Sequence, residues 1–261
     1  RQMCIRDSHI PATIEKILDA AIRSGIPARD IQVLAPMYRG AAGIDAINQL
    51  MQDLLNPLQK GQISFEASQF QYRSGDKVIH LVNDAEVNVF NGDLGYITDL
   101  IPGKYTESKQ DEIMIDFDGN EVVYPRNEWY KIRLAYAMSI HKSQGSEFPV
   151  VFLPITSASK RMLERNLIYT AITRAKSKLI LLGELQAFDY ATKHIGTARK
   201  TYLIERFSDL TESSEEVNEP ILEPTNQINP HQPYILTEDN WTSIPAMIGI
   251  SQDDLDEFFG K

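Results

Sequence analysis

The sequence of 261 residues contains a single cysteine, Cys4. No disulfide can therefore form within the chain, and a cytoplasmic setting is the simpler expectation. No apolar run approaches the roughly 18–20 residues that a bilayer span needs, which argues against an integral membrane protein. The signature G-x-x-x-x-G-K-[ST] is missing too. Its nearest candidate, GTARKT from Gly196 to Thr201, has the wrong spacing. No acidic pair follows a buried apolar strand, since Asp111 and Glu112 precede theirs. A phosphate-cradling loop with its metal-holding acid is thus excluded from these residues.

What is present is an ordinary globular composition, 43% hydrophobic and 24% charged, with a net charge of −10. The length suits one large domain or two small ones. The charge is uneven. Residues 208–261 hold 12 acidic and 1 basic side chain, residues 62–129 hold 13 and 5, and the remaining 1–61 with 130–207 hold 11 and 20. The acidic balance belongs to a tail and an inserted segment. The rest is basic, as a surface that meets a phosphate backbone should be.

Within that basic part the chain is organised around residues 134–155, LAYAMSIHKSQGSEFPVVFLPI. Residues 134–140 and 150–155 are short, continuous apolar runs, the pattern of strands buried on both faces of a parallel sheet. Between them His141, Lys142, Ser143, Gln144, Gly145, Ser146 and Glu147 supply hydroxyls, a cation, an amide and one residue without a Cβ. In a parallel sheet such a segment falls at the carboxyl end of a strand, where ligands bind. A solvated loop accounts for any one of these residues; seven together suit contact with phosphate.

The opening RQMCIRDS fits no pattern that follows and resembles translated adapter sequence, so residues 1–9 are read as a non-native leader. From Pro11 a helix is predicted, with Ile14, Ile17, Leu18, Ala21 and Ile22 on one face and Gly25 at its C-terminal cap. Residues 31–35 read as a buried strand stopped by Pro36. A loop with Arg39, Gly40 and Gly43 then leads to a helix that turns Ile44, Ile47, Leu50, Met51 and Leu54 inward. From 62 to 129 the pattern changes to strands at 76–81, 94–100, 112–117 and 121–124. Turn signals at Asn91-Gly92-Asp93, Pro102-Gly103 and Asp118-Gly119-Asn120 separate them. This predicts a small antiparallel barrel inserted into an α/β domain.

Residues 165–176 predict a helix that buries Leu167, Ile168, Ala171, Ile172 and Ala175, with Thr170 and Arg174 sharing another face. A strand at 178–183 and a helix at 185–194 follow. Alternation across 10–61 and 134–194 gives a parallel sheet flanked by helices. Residues 208–261 are acidic, proline-bearing and poor in aliphatics, and are read as mostly disordered. Apolar residues return over 234–259, where Ser251-x-x-Asp254 suits the cap of a short helix ending in Phe258 and Phe259, a partner-binding peptide or a clip back onto the domain.

HKSQGSEFPVVFLP resembles the fifth conserved motif of superfamily 1 helicases, and RNLIYTAITRAK at 165–176 resembles the sixth, in the order that family shows. With VLAPMYRGAAGID at 33–45 and GDKV…VFNGD between Gly75 and Asp93, the likeness is to RecD-like DNA helicases and extends over residues 10–207. The resemblance implies an α/β fold in which 10–61 and 130–207 form the second RecA-like domain of an ATP-dependent helicase moving 5′ to 3′. Residues 62–129 would be a Src-homology-3-type barrel, which in that family lies against single-stranded DNA; on the residues alone it equally suits a rigid scaffold or wedge. ATP and Mg²⁺ are implied, with the phosphate loop and the Mg²⁺ ligands on an N-terminal helicase half, so that this chain would not hydrolyse ATP alone.

By the same resemblance Arg174 matches the sixth-motif arginine and would act as an arginine finger, while Arg39 matches a fourth-motif arginine that reaches the same phosphates. Gly145 and Glu147 would line the nucleotide's sugar side, since a carboxylate does not face a triphosphate. Ser139, His141, Lys142 and Ser143 would face DNA phosphates, and Asn91 and Phe90, with Lys77, offer the barrel's contact. The expected partners are single-stranded DNA, the N-terminal half and a protein for the tail, with no membrane. Competing readings are a non-catalytic nucleic-acid-binding or assembly subunit derived from a helicase, and the same fold within a multi-subunit exonuclease or relaxase.

Overall fold

The computed structural model describes residues 3–4, 7–67 and 70–196. In chain order these form β1 (Met3–Cys4), α1 (Ile10–Arg23), β2 (Ile31–Ala35), α2 (Ile44–Leu55), β3 (Ser64–Ala67), β4 (Phe70–Arg73) and β5 (Lys77–His80). There follow β6 (Leu94–Ile101), β7 (Glu112–Phe117), β8 (Asn120–Pro125), β9 (Ile132–Leu134) and β10 (Ala137–Ser139). The last are β11 (Phe148–Ile155), α3 (Arg165–Ile172), β12 (Ala175–Gly183) and α4 (Leu185–Lys193). The tail read as disordered, 208–261, lies outside the described residues.

A parallel sheet in the order β1-β12-β11-β2-β10 carries the α/β part. Its strands are apolar on both sides because both faces are covered. Val33, Val150 and Phe152 turn toward Ile10, Ile14 and Leu18 of α1 and Ile44, Ile47 and Met51 of α2. The alternate residues Leu34, Val151 and Leu153 turn toward Leu167, Ile168 and Ala171 of α3 and Ala187 and Ala191 of α4. Each such side chain withdrawn from water contributes about 1.5–3 kcal/mol. The fit is not complete at the helix margins, where Ile22, Leu54 and Ile172, expected inward, are exposed.

The antiparallel part is a five-stranded sheet, β8-β7-β6-β5-β9, with the hairpin β3-β4 beside it. The strands expected at 94–100, 112–117 and 121–124 are present; the hairpin of β3 and β4 was not foreseen, because its residues alternate weakly. β9 lies beyond residue 129 and pairs Val78 with Leu134, so the antiparallel sheet continues past the expected end of the insert.

This is where the central stretch departs from expectation. Residues 134–140 are not one strand. Leu134 closes the antiparallel sheet, two residues cross, and Ala137–Ser139 enters the parallel sheet beside β2. A continuous apolar run says only that both sites are buried, and does not say they belong to one sheet. The predicted helix over 165–176 likewise ends at Ile172, and Ala175 already pairs with Phe148.

Polar side chains inside the fold bind the two sheets together. Asn48 of α2 donates to the Ala137 carbonyl at 2.9 Å and accepts from its amide at 2.8 Å, which satisfies backbone on the open side of β10. Asp76, between β4 and β5, is fully buried. It accepts from Gln52 at 2.5 Å, Asn56 at 2.8 Å, the Arg73 amide at 2.7 Å and the Tyr136 hydroxyl at 3.0 Å. Burial raises its pKa, and the four donors oppose the rise.

Candidate functional site

The strand register divides the predicted site residues between two edges of the parallel sheet. Ser139 is level with Ala35 at the carboxyl edge, whereas Phe148 is level with Ala175 at the amino edge. Residues 140–147 run from one edge to the other. The length of β11 between those levels is about 20 Å.

At the amino edge the loop meets Arg174, which follows α3 directly. Its Nη1 donates to the Ser146 carbonyl at 3.1 Å, its Nε to the Thr170 carbonyl at 3.3 Å and its Nη2 to the Thr173 hydroxyl at 3.1 Å. The Phe148 amide donates to the Arg174 carbonyl at 2.8 Å, so both sides of the contact are tied. Gly145 has φ +88°, a left-handed turn with open space where a Cβ would stand. Glu147 pairs with Lys176 at 3.3 Å, an exposed pair worth little to stability. Arg174, Gly145 and Glu147 are therefore brought together.

At the carboxyl edge the same loop begins with a tight turn. The Lys142 amide donates to Ser139 Oγ at 3.3 Å, and Ser143 Oγ donates to the Ile140 carbonyl at 2.7 Å. Ser143 is fully buried and its hydroxyl closes the turn, so it presents no donor at the surface, contrary to expectation. His141 is exposed and Lys142 half-buried. Burial, and then the charge of Arg133, lower the pKa of Lys142.

Arg39, expected to reach the same phosphates as Arg174, follows a strand's carboxyl end, whereas Arg174 precedes the body of β12 at the amino edge. Arg39 is exposed in the loop that leaves the carboxyl end of β2. Its neighbour Tyr38 lines a crevice of about 70 Å³ with Ser139, Lys142 and Arg133. Residue type alone carries no information on which edge of the sheet a loop occupies; strand register does.

The barrel reaches this edge through the turn after β5. A Cβ on Gly92 would stand 3.9 Å from the Lys142 carbonyl oxygen. Phe90, 47% exposed, and the exposed Asn91 flank that point. Lys77 does not join them, being 4% exposed under the Phe148 ring with Nζ 3.4 Å from the Arg29 carbonyl oxygen. Arg133 was not singled out from sequence. It stacks between the Tyr38 and Phe70 rings at 5.1 and 5.0 Å and pairs with Asp45 at 2.6 Å. No spacing signal marks it, because its neighbours come from three separate elements.

Residues 134–182 match the family model of the UvrD-like helicase C-terminal domain, and residues 47–117 match that of the ATP-dependent RecD-like DNA helicase SH3 domain. The chain belongs with the RecD-like helicases of superfamily 1. It is 36% identical over 176 residues to the ATP-dependent RecD2 DNA helicase of Deinococcus radiodurans, covering 67% of this chain and 23% of that protein. It is 29% identical over 152 residues to the RecBCD enzyme subunit RecD of Mycolicibacterium smegmatis, covering 58% and 25%. The chain thus spans about a quarter of the length of these curated relatives. Among solved structures it resembles the Pif1 helicase from Candida albicans at 19% identity and a TM-score of 0.42, over 76% of this chain and 58% of that one.

The RecD-like domain thus carries residues 140–147 across the sheet and Arg174 against one end of that loop. Among its described residues no group of three or more His, Cys, Asp or Glu side chains is placed to hold a metal ion. No described helix is long and apolar enough to cross a membrane.

Proposed function

We propose that this chain is the second half of an ATP-driven motor that moves 5′ to 3′ on single-stranded DNA. The observation that carries this reading is the span of residues 140–147, held by Arg174 at one edge of the sheet and by Ser139 at the other. Arg174, Gly145 and Glu147 face the nucleotide; His141 and Lys142 face DNA phosphates, on a turn held by the buried Ser139. A shift of the loop at one edge is then felt at the other, which is how closure on ATP would advance the strand.

The roles follow from the side chains. The Arg174 guanidinium is aimed by three hydrogen bonds and stabilises charge that develops on the transferred phosphoryl group. Gly145 lets backbone approach the ribose, and the Glu147 carboxylate accepts from sugar hydroxyls rather than meeting phosphate. Mg²⁺, which neutralises phosphate charge in this chemistry, would be held by the N-terminal half. Donors from His141 and Lys142 position a backbone without reading bases, while Ser139, 9% exposed, anchors the turn that carries them. Arg39 is reassigned to this DNA edge.

The test joins this chain to the N-terminal half in the complete enzyme and replaces Arg174 with Ala. ATP hydrolysis should fall by about 10³-fold or more while single-stranded DNA affinity stays within about two-fold. Loss of both in a folded variant would overturn the separation of edges. Hydrolysis that persists would favour a binding subunit that kept the fold without the motor.

A further inference from the structure

A second concavity lies on the barrel side, between the β3-β4 hairpin and the turn that precedes β9. It has a volume of about 640 Å³, within the range of about 300–1,000 Å³ typical of small-ligand clefts. Its lining is unusual for a surface: Phe70, Tyr72, Trp129 and Tyr130 supply four aromatic rings, and Arg126 and Arg133 two guanidinium groups. Both guanidinium groups already lie over rings, Arg126 on Trp129 at 5.0 Å and Arg133 on Phe70 at 5.0 Å. Tyr130 is 69% exposed, so one aromatic face is available to a ligand without any rearrangement.

The cleft shares part of its wall with the DNA edge. Arg133 and Leu81 line both it and the crevice that contains Ser139 and Lys142. A strand whose phosphates rest at Lys142 therefore has a neighbouring recess of flat aromatic and guanidinium surfaces.

We propose that this cleft receives one unstacked nucleobase of the bound single strand, stacked on Tyr130 and flanked by Arg126. The inference rests on the DNA-edge reading above and adds a base-contacting site to it. Base stacking on an aromatic ring is tolerant of sequence, since every base has a π-face, and planar guanidinium groups add cation–π attraction. Arg126 also pairs with Asp111 at 3.2 Å, which fixes its plane over Trp129. The acidic Glu66 on the same wall disfavours phosphate there, consistent with a base rather than the backbone.

The experiment measures binding of this chain to a fluorescein-labelled oligothymidylate and to an abasic strand of equal length. Tyr130→Ala should weaken the oligothymidylate complex roughly ten-fold and leave the abasic complex unchanged, with the same salt slope for both. Tyr130→Phe should bind like the parent. Lys142→Ala should weaken both strands and reduce the slope by about one. Equal weakening of both strands by Tyr130→Ala would overturn the base site. No effect of Tyr130→Ala, while Lys142→Ala weakens both, would overturn it and leave the DNA-edge reading standing. If neither strand binds the parent chain, both inferences fall.

Discussion

Arg174 reaches back across the sheet's amino edge to hold the Ser146 carbonyl at 3.1 Å. The contact joins two sequence motifs that lie 28 residues apart, and it uses the fork of the guanidinium, with Nε and Nη2 engaged at the same time. Lysine carries the same charge but only a point donor on a flexible stem. Arg174→Lys in the complete enzyme should therefore lose most of the turnover that Arg174→Ala loses, with the stability of this chain changed by about 1 kcal/mol or less. The check is kcat for ATP alongside a denaturant titration; a lysine variant within ten-fold of the parent would end the arginine-finger assignment.

Arg39→Ala separates the two edges from the opposite direction. Because its loop lies beside Ser139 and Lys142, the substitution should weaken single-stranded DNA binding and reduce the salt slope by about one. At saturating DNA, kcat for ATP should hold. A fall in kcat at saturation would return Arg39 to the nucleotide side.

Asp76→Ala tests the seam between the sheets. It leaves donors from Gln52, Asn56, Arg73 and Tyr136 buried without their acceptor. The expected loss is about 3–5 kcal/mol in urea unfolding, and Asp76→Asn, which keeps one oxygen, should lose less. A loss below about 1 kcal/mol would show that the seam is held by apolar packing alone.

Lys77 gives a pH signature. Burial lowers its pKa from 10.5 to about 8, with the Asp30 charge opposing. Below that value the folded chain must hold a buried ammonium, so the penalty is fully present. Between about 8 and 10.5 the unfolded chain binds the proton that the folded chain has released, and stability rises with pH. Lys77→Met should be more stable than the parent at pH 7 by up to about 3 kcal/mol, and the gap should close by pH 10.5. Burial raises the pKa values of Tyr72, Tyr124 and Tyr136, which pull the other way in strongly alkaline solution, so the difference between the two proteins is the quantity to follow. A gap that does not change with pH would remove Lys77 as its source.

Local pattern was enough for the strand at Ile31–Ala35 and for the helices that begin near Ile10 and Ile44, since each buries one continuous stripe or run. It was enough, too, for the turn-separated strands of the insert. It failed where one apolar run serves two sheets, at 134–140, and where a helix yields to a strand within its own apolar stripe, at Ile172. Lys77 and Ser143 were misjudged for a related reason, because a polar side chain in a strand or turn carries no mark of which neighbours will cover it.

The sequence by itself determined most of the strands and helices, the basic character of the α/β part and the family, because hydrophobic period, turn chemistry and motif order are local properties. Tertiary structure alone decided which edge of the sheet each candidate residue occupies. Strand register brought Arg174 to Ser146 at the amino edge and left Arg39 in the loop at the carboxyl edge, next to Tyr38 of the crevice that contains Lys142. It also assembled the aromatic and guanidinium cleft from segments distant in the chain. Register is set by long-range pairing and by buried groups such as Asn48 and Asp76, whose partners no single stretch of sequence contains.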